Sequence, residues 1–125
     1  MPVNVLIIDD SAVMRKILER SVRQARMQIG NVVEASDGVE ALKRLGEAGD
    51  GIGLIFCDVN MPNMDGLEFL KQVKDADFRK VPVVMVTTEG TEAKVMQALS
   101  LGAAGYIRKP FTAEQMQEVL GRLFP

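Results

Sequence analysis

The sequence predicts an α/β fold: a doubly wound (βα)5 arrangement with a five-stranded parallel sheet and helices on both faces. Three observations carry this. Short, almost wholly apolar runs rich in β-branched residues recur at Val3 to Ile8, Asn31 to Ala35, Ile52 to Cys57, Val81 to Thr87 and Ala104 to Ile107, the mark of strands buried on both faces. Between them the apolar residues switch to helical spacing. Polar residues able to cap a helix stand at the joins.

The first run, Val3 to Ile8, is interrupted only by Asn4 and ends at two adjacent carboxylates, Asp9 and Asp10. Ser11 can cap the helix that follows, whose apolar face is Met14, Ile17, Leu18, Val22 and Ala25. The second strand, Asn31 to Ala35, leads to a helix capped by Asp37, with Ala41, Leu42, Leu45 and Ala48 along one side. Gly49, Gly51 and Gly53 then resemble a nucleotide-binding glycine loop. Such a loop must follow a strand and open a helix, so that the helix N-terminus faces the anion. This one closes a helix and opens a strand, and is read as a helix stop.

The third strand, Ile52 to Cys57, runs into Asp58, and Asp65 caps the third helix. The fourth strand ends in Thr87-Thr88, and its helix starts near Thr91, after Gly90. The fifth strand runs towards Lys109-Pro110, and Thr112 caps a last helix bearing Ala113, Met116, Leu120, Leu123 and Phe124. A βα unit repeated in this way calls for right-handed crossovers. The strand order 2-1-3-4-5 is adopted by analogy with flavodoxin-like folds. At 125 residues the whole chain, 1–125, is expected to be one domain.

Composition narrows the function. Seventeen acidic residues against fifteen basic ones give a net charge of −2, without the basic footprint of a nucleic-acid partner. No apolar stretch is long enough to span a membrane and no basic segment precedes an apolar one at the start, so a cytoplasmic setting is expected. Cys57, the single cysteine, rules out an internal disulfide and reads as a small buried hydrophobe. There is no histidine, which excludes Ser-His-Asp and Cys-His catalysis and imidazole zinc sites. Met27, Met85, Met96 and Met116 read as core fillers. The mixed charges Lys71, Lys74, Asp75, Asp77, Arg79 and Lys80 read as a solvated helix face and loop.

In an open parallel sheet, ligands bind at the carboxyl ends of the strands. Applied strand by strand, that rule gathers Asp9, Asp10, Asp58, Thr87 and Lys109 on one rim. Like charges so placed disfavour one another's ionised forms unless a cation compensates. A hard divalent cation such as Mg²⁺ is the natural compensator for oxygen ligands. With Lys109 as a second positive charge and Thr87 as a donor, the site suits a phosphoryl group. Asp58, alone on its strand and central in the sheet, is the candidate nucleophile for an acyl phosphate.

Four segments, I-D-D-S, D-V-N-M-P-N-M-D-G-L, V-T-T-E and G-A-A-G-Y-I-R-K-P-F, taken in order and at these spacings, make the chain resemble the receiver domain of two-component response regulators. The resemblance implies that Asp58 is the phosphoacceptor, Asp10 a direct Mg²⁺ ligand, Asp9 an acid holding the ion largely through water, and Asn60 the donor of a backbone carbonyl to the ion. It further implies that Thr87 bonds the phosphoryl group, Lys109 pairs with it, Tyr106 is an aromatic switch, the Lys109–Pro110 bond is cis, and Asn60 and Glu89 tune hydrolysis. A partner histidine kinase would be the donor, and an output protein would bind the surface of the fourth helix, fifth strand and fifth helix of a monomer. The chain would catalyse only its own phosphorylation and dephosphorylation.

Within the family, V-T-T-E-G and G-A-A-G-Y-I-R-K-P-F look most like single-domain chemotaxis regulators of the CheY kind, although Thr88 stands where those usually carry Ala. Two other readings remain open at this level. One is the receiver part of a larger DNA-binding response regulator. The other, an aspartyl-nucleophile phosphohydrolase, is disfavoured because Asn60 stands where its motif needs a second aspartate.

Overall fold

Ten elements alternate along the chain in the computed structural model, which describes residues 2–25, 27–48, 51–75, 80–88 and 91–125. They are β1 (Val3–Ile8), α1 (Ala12–Gln24), β2 (Ile29–Ala35), α2 (Gly38–Ala48), β3 (Leu54–Cys57), α3 (Gly66–Asp75), β4 (Val83–Thr87), α4 (Glu92–Ser100), β5 (Gly105–Arg108) and α5 (Ala113–Leu123). The strands form one parallel sheet in the order β2-β1-β3-β4-β5.

Period-two alternation along the buried strands divides the core into two layers. Val5 and Ile7 of β1, Leu54 and Phe56 of β3, and Val84 and Val86 of β4 pack with Leu18 and Val22 of α1 and Met116 and Leu120 of α5. Leu6, Ile8, Ile55, Cys57, Val83 and Met85 face the other way, onto α2, α3 and α4. Every residue of β3 and β4 is buried, which explains why those strands read as continuous apolar runs rather than alternating ones.

Side chains cap the helices as the sequence suggests. Ser11, Thr91 and Thr112 accept the backbone N–H groups of Met14, Lys94 and Gln115. Asp37 and Asp65 accept those of Glu40 and Glu68.

Strand limits shift by a residue or two, because pairing rather than apolarity sets them. β2 begins at Ile29, where Val3 pairs with it. β3 begins at Leu54, opposite Val5. β4 begins after Pro82, whose ring nitrogen has no hydrogen to donate to a ladder; its carbonyl still accepts Ile55 N–H at 3.0 Å.

Met85 and Met116 are core residues, but Met96 is 60% exposed: α4 turns Ala98 inward instead. Lys74 departs from a solvated face. Its stem packs beneath Gly102, whose φ is +103°, and its ammonium donates to the Val81 carbonyl at 3.2 Å; burial holds its pKa below the ordinary lysine value. Gly49, Asp77, Arg79, Glu89 and Gly90 lie outside the described residues. No helix among the described residues is long and apolar enough to cross a membrane.

Candidate functional site

Parallel register builds the rim. Ile8 of β1 pairs with Cys57 of β3, so the residues that follow, Asp9 and Asp58, leave the sheet side by side. The backbone continues the pattern: Asp58 N–H donates to Ile8 O at 3.0 Å, and Asp9 N–H to Ala35 O at 3.1 Å. Asp9 is 1% exposed and Asp58 8%, whereas Asp10 is exposed. Ligand oxygens of Asp9, Asp10 and Asp58 lie within 4.8 Å of one another.

Lys109 reaches this cluster from beyond β5. Its ammonium donates to Asp9 Oδ2 at 2.8 Å and to Asp58 Oδ2 at 3.3 Å. Burial alone would push its pKa down, but the hydrogen bond it donates to Asp9 and the charges of Asp58 and Asp9 outweigh that and hold it above the ordinary lysine value. Its backbone N–H donates to the Thr87 carbonyl at 2.9 Å. The Lys109–Pro110 bond is cis.

Each carboxylate is oriented by the chain itself. Asp58 Oδ1 accepts the Val59 N–H at 2.7 Å, and Asp9 Oδ1 accepts the Ser11 N–H at 2.9 Å. Burial, then the charges of Asp58, Asp9 and Asp65, pushes the Cys57 thiol well up, so that sulfur is no thiolate nucleophile. The donor set is all oxygen, and two of its carboxylates are buried, which fits a hard divalent cation such as Mg²⁺. Asp9, Asp10 and Asp58 are the side chains that would hold it.

Of the other residues singled out in the sequence, Thr87 is fully buried at the end of β4. Asn60 stands exposed on the β3–α3 loop, two positions past Asp58. Tyr106 is half-buried on β5, beside Met85 of β4, and packs against the core layer under α2, α3 and α4. Glu89 lies outside the described residues.

Two contributors escape the sequence reading. Gly66 begins α3 with its N–H on the Val59 carbonyl at 2.8 Å; a Cβ there would collide with the Asp58 carbonyl and stand 2.9 Å from Val59 Cα. The glycine of M-D-G-L was its visible trace. Arg15 places Nη1 on the Asp9 carbonyl at 2.6 Å and Nε on Glu34 at 2.9 Å. Nothing in the local sequence marks it.

Comparison with known proteins gives a consistent picture. The family model for the response regulator receiver domain matches residues 5–121. Chemotaxis protein CheY1 of Helicobacter pylori strain 26695 is 40% identical over 116 residues, covering 92% of this chain and 91% of the relative. A chemotaxis CheY homologue of Campylobacter jejuni is 40% identical over 121 residues, covering 93% and 91%. Among solved structures, a chain of the CheX–CheY–BeF3–Mg²⁺ complex from Borrelia burgdorferi superposes with a TM-score of 0.91 at 29% identity, covering 100% of this chain and 91% of that one. Vibrio cholerae chemotaxis protein CheY4 gives 0.84 at 34% identity, covering 99% and 100%.

Proposed function

The chain belongs to the response regulator receiver family and is homologous to CheY chemotaxis regulators, and from that premise we propose that it is a phosphoacceptor switch whose acceptor is Asp58. Receiver domains of this kind are signalling switches rather than turnover enzymes. The observation that carries the assignment is the convergence of two buried carboxylates and one ammonium, Asp9, Asp58 and Lys109, at 2.8 and 3.3 Å.

In the proposed reaction a carboxylate oxygen of Asp58 attacks the phosphorus of a phosphohistidine on a partner kinase. The P–N bond breaks, an acyl phosphate forms on Asp58, and the imidazole leaves with the electron pair and takes a proton from water. Mg²⁺, held by Asp9, Asp10, Asp58 and the Asn60 carbonyl, would supply charge neutralisation for the phosphoryl oxygens. The Val59 N–H fixes one Asp58 oxygen, which leaves the other to react. Lys109, already against Asp58, would turn its ammonium to a phosphoryl oxygen, and the Thr87 hydroxyl would bond another. Asn60 and Glu89 would border the path of the water that later hydrolyses the acyl phosphate.

The signal would leave through Tyr106. Movement of Thr87 towards the phosphoryl group opens space for the tyrosine ring, and the surface of α4, β5 and α5 changes shape for an output protein. Exposed Met96 and Leu99 on α4 support that reading, as does a groove of about 240 Å³ lined by Tyr106, Arg108, Gln115, Glu118, Val119 and Arg122. The BeF3 and Mg²⁺ of the Borrelia complex support the site assignment, and its CheX supports a protein partner. We take the protein to act as a cytoplasmic monomer.

Phosphate uptake tests the acceptor. Wild type incubated with acetyl phosphate and Mg²⁺ is expected to gain one hydroxylamine-labile phosphate, and Asp58→Asn none. Undiminished labelling of Asp58→Asn places the acceptor elsewhere.

A further inference from the structure

Asp9 is held at four points. Its N–H donates to the Ala35 carbonyl, its Oδ1 accepts the Ser11 N–H, its Oδ2 accepts Lys109, and its own carbonyl accepts Arg15 Nη1 at 2.6 Å. The last bond comes from a side chain with no place in the phosphoryl chemistry. Arg15 sits on the first turn of α1 with its side chain largely buried, and its Nε donates to Glu34 Oε1 on β2 at 2.9 Å.

An ordinary helix-to-strand ion pair accounts for the Nε contact. Lys16 makes a comparable one with Glu34 Oε2 at 3.0 Å. It does not account for Nη1, which lies on the Asp9 carbonyl and not on the glutamate. That oxygen belongs to the planar peptide joining Asp9 to Asp10. Fixing it fixes the plane that holds the Asp10 nitrogen and Cα, and so the base from which that exposed side chain projects. A guanidinium can do this because its donors form a rigid fork, one prong on β2 and the other on the β1–α1 turn.

We propose that Arg15, anchored by Glu34, is a positioning residue for the divalent-cation seat, setting the angle between the Asp9 and Asp10 carboxylates through the peptide that links them. This rests on the reading that Asp9, Asp10 and Asp58 hold Mg²⁺. Partners of this outer kind usually matter to affinity by about 10- to 100-fold. Lys16 shares the glutamate, while the carbonyl is held by Arg15, so Lys16 is the internal control.

The test is Mg²⁺ titration of the full chain, followed by amide NMR shifts, for wild type, Arg15→Met, Lys16→Met and Asp10→Asn. Arg15→Met is expected to bind Mg²⁺ about tenfold more weakly, Lys16→Met as wild type, and Asp10→Asn to lose binding. Wild-type affinity in Arg15→Met, or an equal loss in Lys16→Met, overturns the positioning role while the metal seat stands. Wild-type affinity in Asp10→Asn overturns the metal reading and this proposal with it. Should Arg15→Met not fold, Arg15→Lys keeps the charge but cannot span both acceptors. An intermediate loss supports the proposal and wild-type affinity sinks it.

Discussion

Lys109 is the counter-charge shared by two carboxylates that the fold has almost removed from water. Truncating it to Ala leaves Asp9 and Asp58 buried without a counter-charge, a loss expected to cost about 3 kcal/mol in the absence of Mg²⁺. Urea titrations with and without Mg²⁺ check this: the metal should restore part of the lost stability, and a variant as stable as wild type would contradict the arrangement. The same residue gives a pH signature. Its folded pKa is raised above the ordinary 10.5, so its contribution is complete below the unfolded value and disappears as pH climbs through the folded one. Wild-type stability should therefore fall more steeply than that of Lys109→Met above pH 10.5. At this scale much of the site was legible, since Asp9, Asp58, Thr87 and Lys109 each stand where a strand gives out. Arg15 was not, because its acceptors lie six and nineteen positions away and depend on the register of β2.

The joins between elements are where local sequence speaks most directly. Thr112 and Gln115 form a reciprocal cap, with Thr112 Oγ1 accepting Gln115 N–H at 3.1 Å and Gln115 Oε1 accepting Thr112 N–H at 2.8 Å. Thr112→Ala should lower stability by about 1 kcal/mol, read as a shift in the denaturation midpoint at unchanged slope. The β3–α3 join obeys a harsher constraint. Gly66 lets α3 start against the backbone of the proposed acceptor, and Gly66→Ala must push the Asp58 carbonyl or the helix aside. A cost of at least about 2 kcal/mol is expected, together with impaired phosphate uptake; a stable, fully active variant would show that the junction yields. Four caps could be named from residue type and the fourth helix placed near Thr91, its cap, but the strand ends could not, because a strand ends where its neighbour stops offering partners. Met96 illustrates the same limit. Its helix is short, and apolar character alone does not say which side faces the sheet.

Across the whole molecule, the proposed phosphorylation at one end of β3 would have to be felt on α4, β5 and α5. Thr87 and Tyr106 belong to the paired strands β4 and β5, so the proposed path runs between two neighbouring strands. Activating the protein with BeF3 and Mg²⁺ should shift amide resonances throughout that surface and leave α1 away from the rim unmoved. Resonances that move only beside Asp58 would leave the switch without a path. An output partner that prefers the activated shape by about 1.4 kcal/mol binds it tenfold tighter, and by linkage favours phosphorylation equally. Five βα units were countable in the sequence, but their lateral order came by analogy. Periodicity reports which residues are buried, not which strand lies next to which.

The strictly parallel alternation has an electrostatic corollary. Each strand delivers the chain to the same rim, and α1 to α5 all depart from it, so five helix N-termini line the edge of the sheet that bears the carboxylates. Their peptide dipoles aim partial positive charge at that edge and leave the negative ends at the opposite one. The molecule is thus polarised along the strands by its backbone as well as by its side chains. That polarity cannot be removed by substitution, and it gives an incoming anion a favourable approach to a rim crowded with acids.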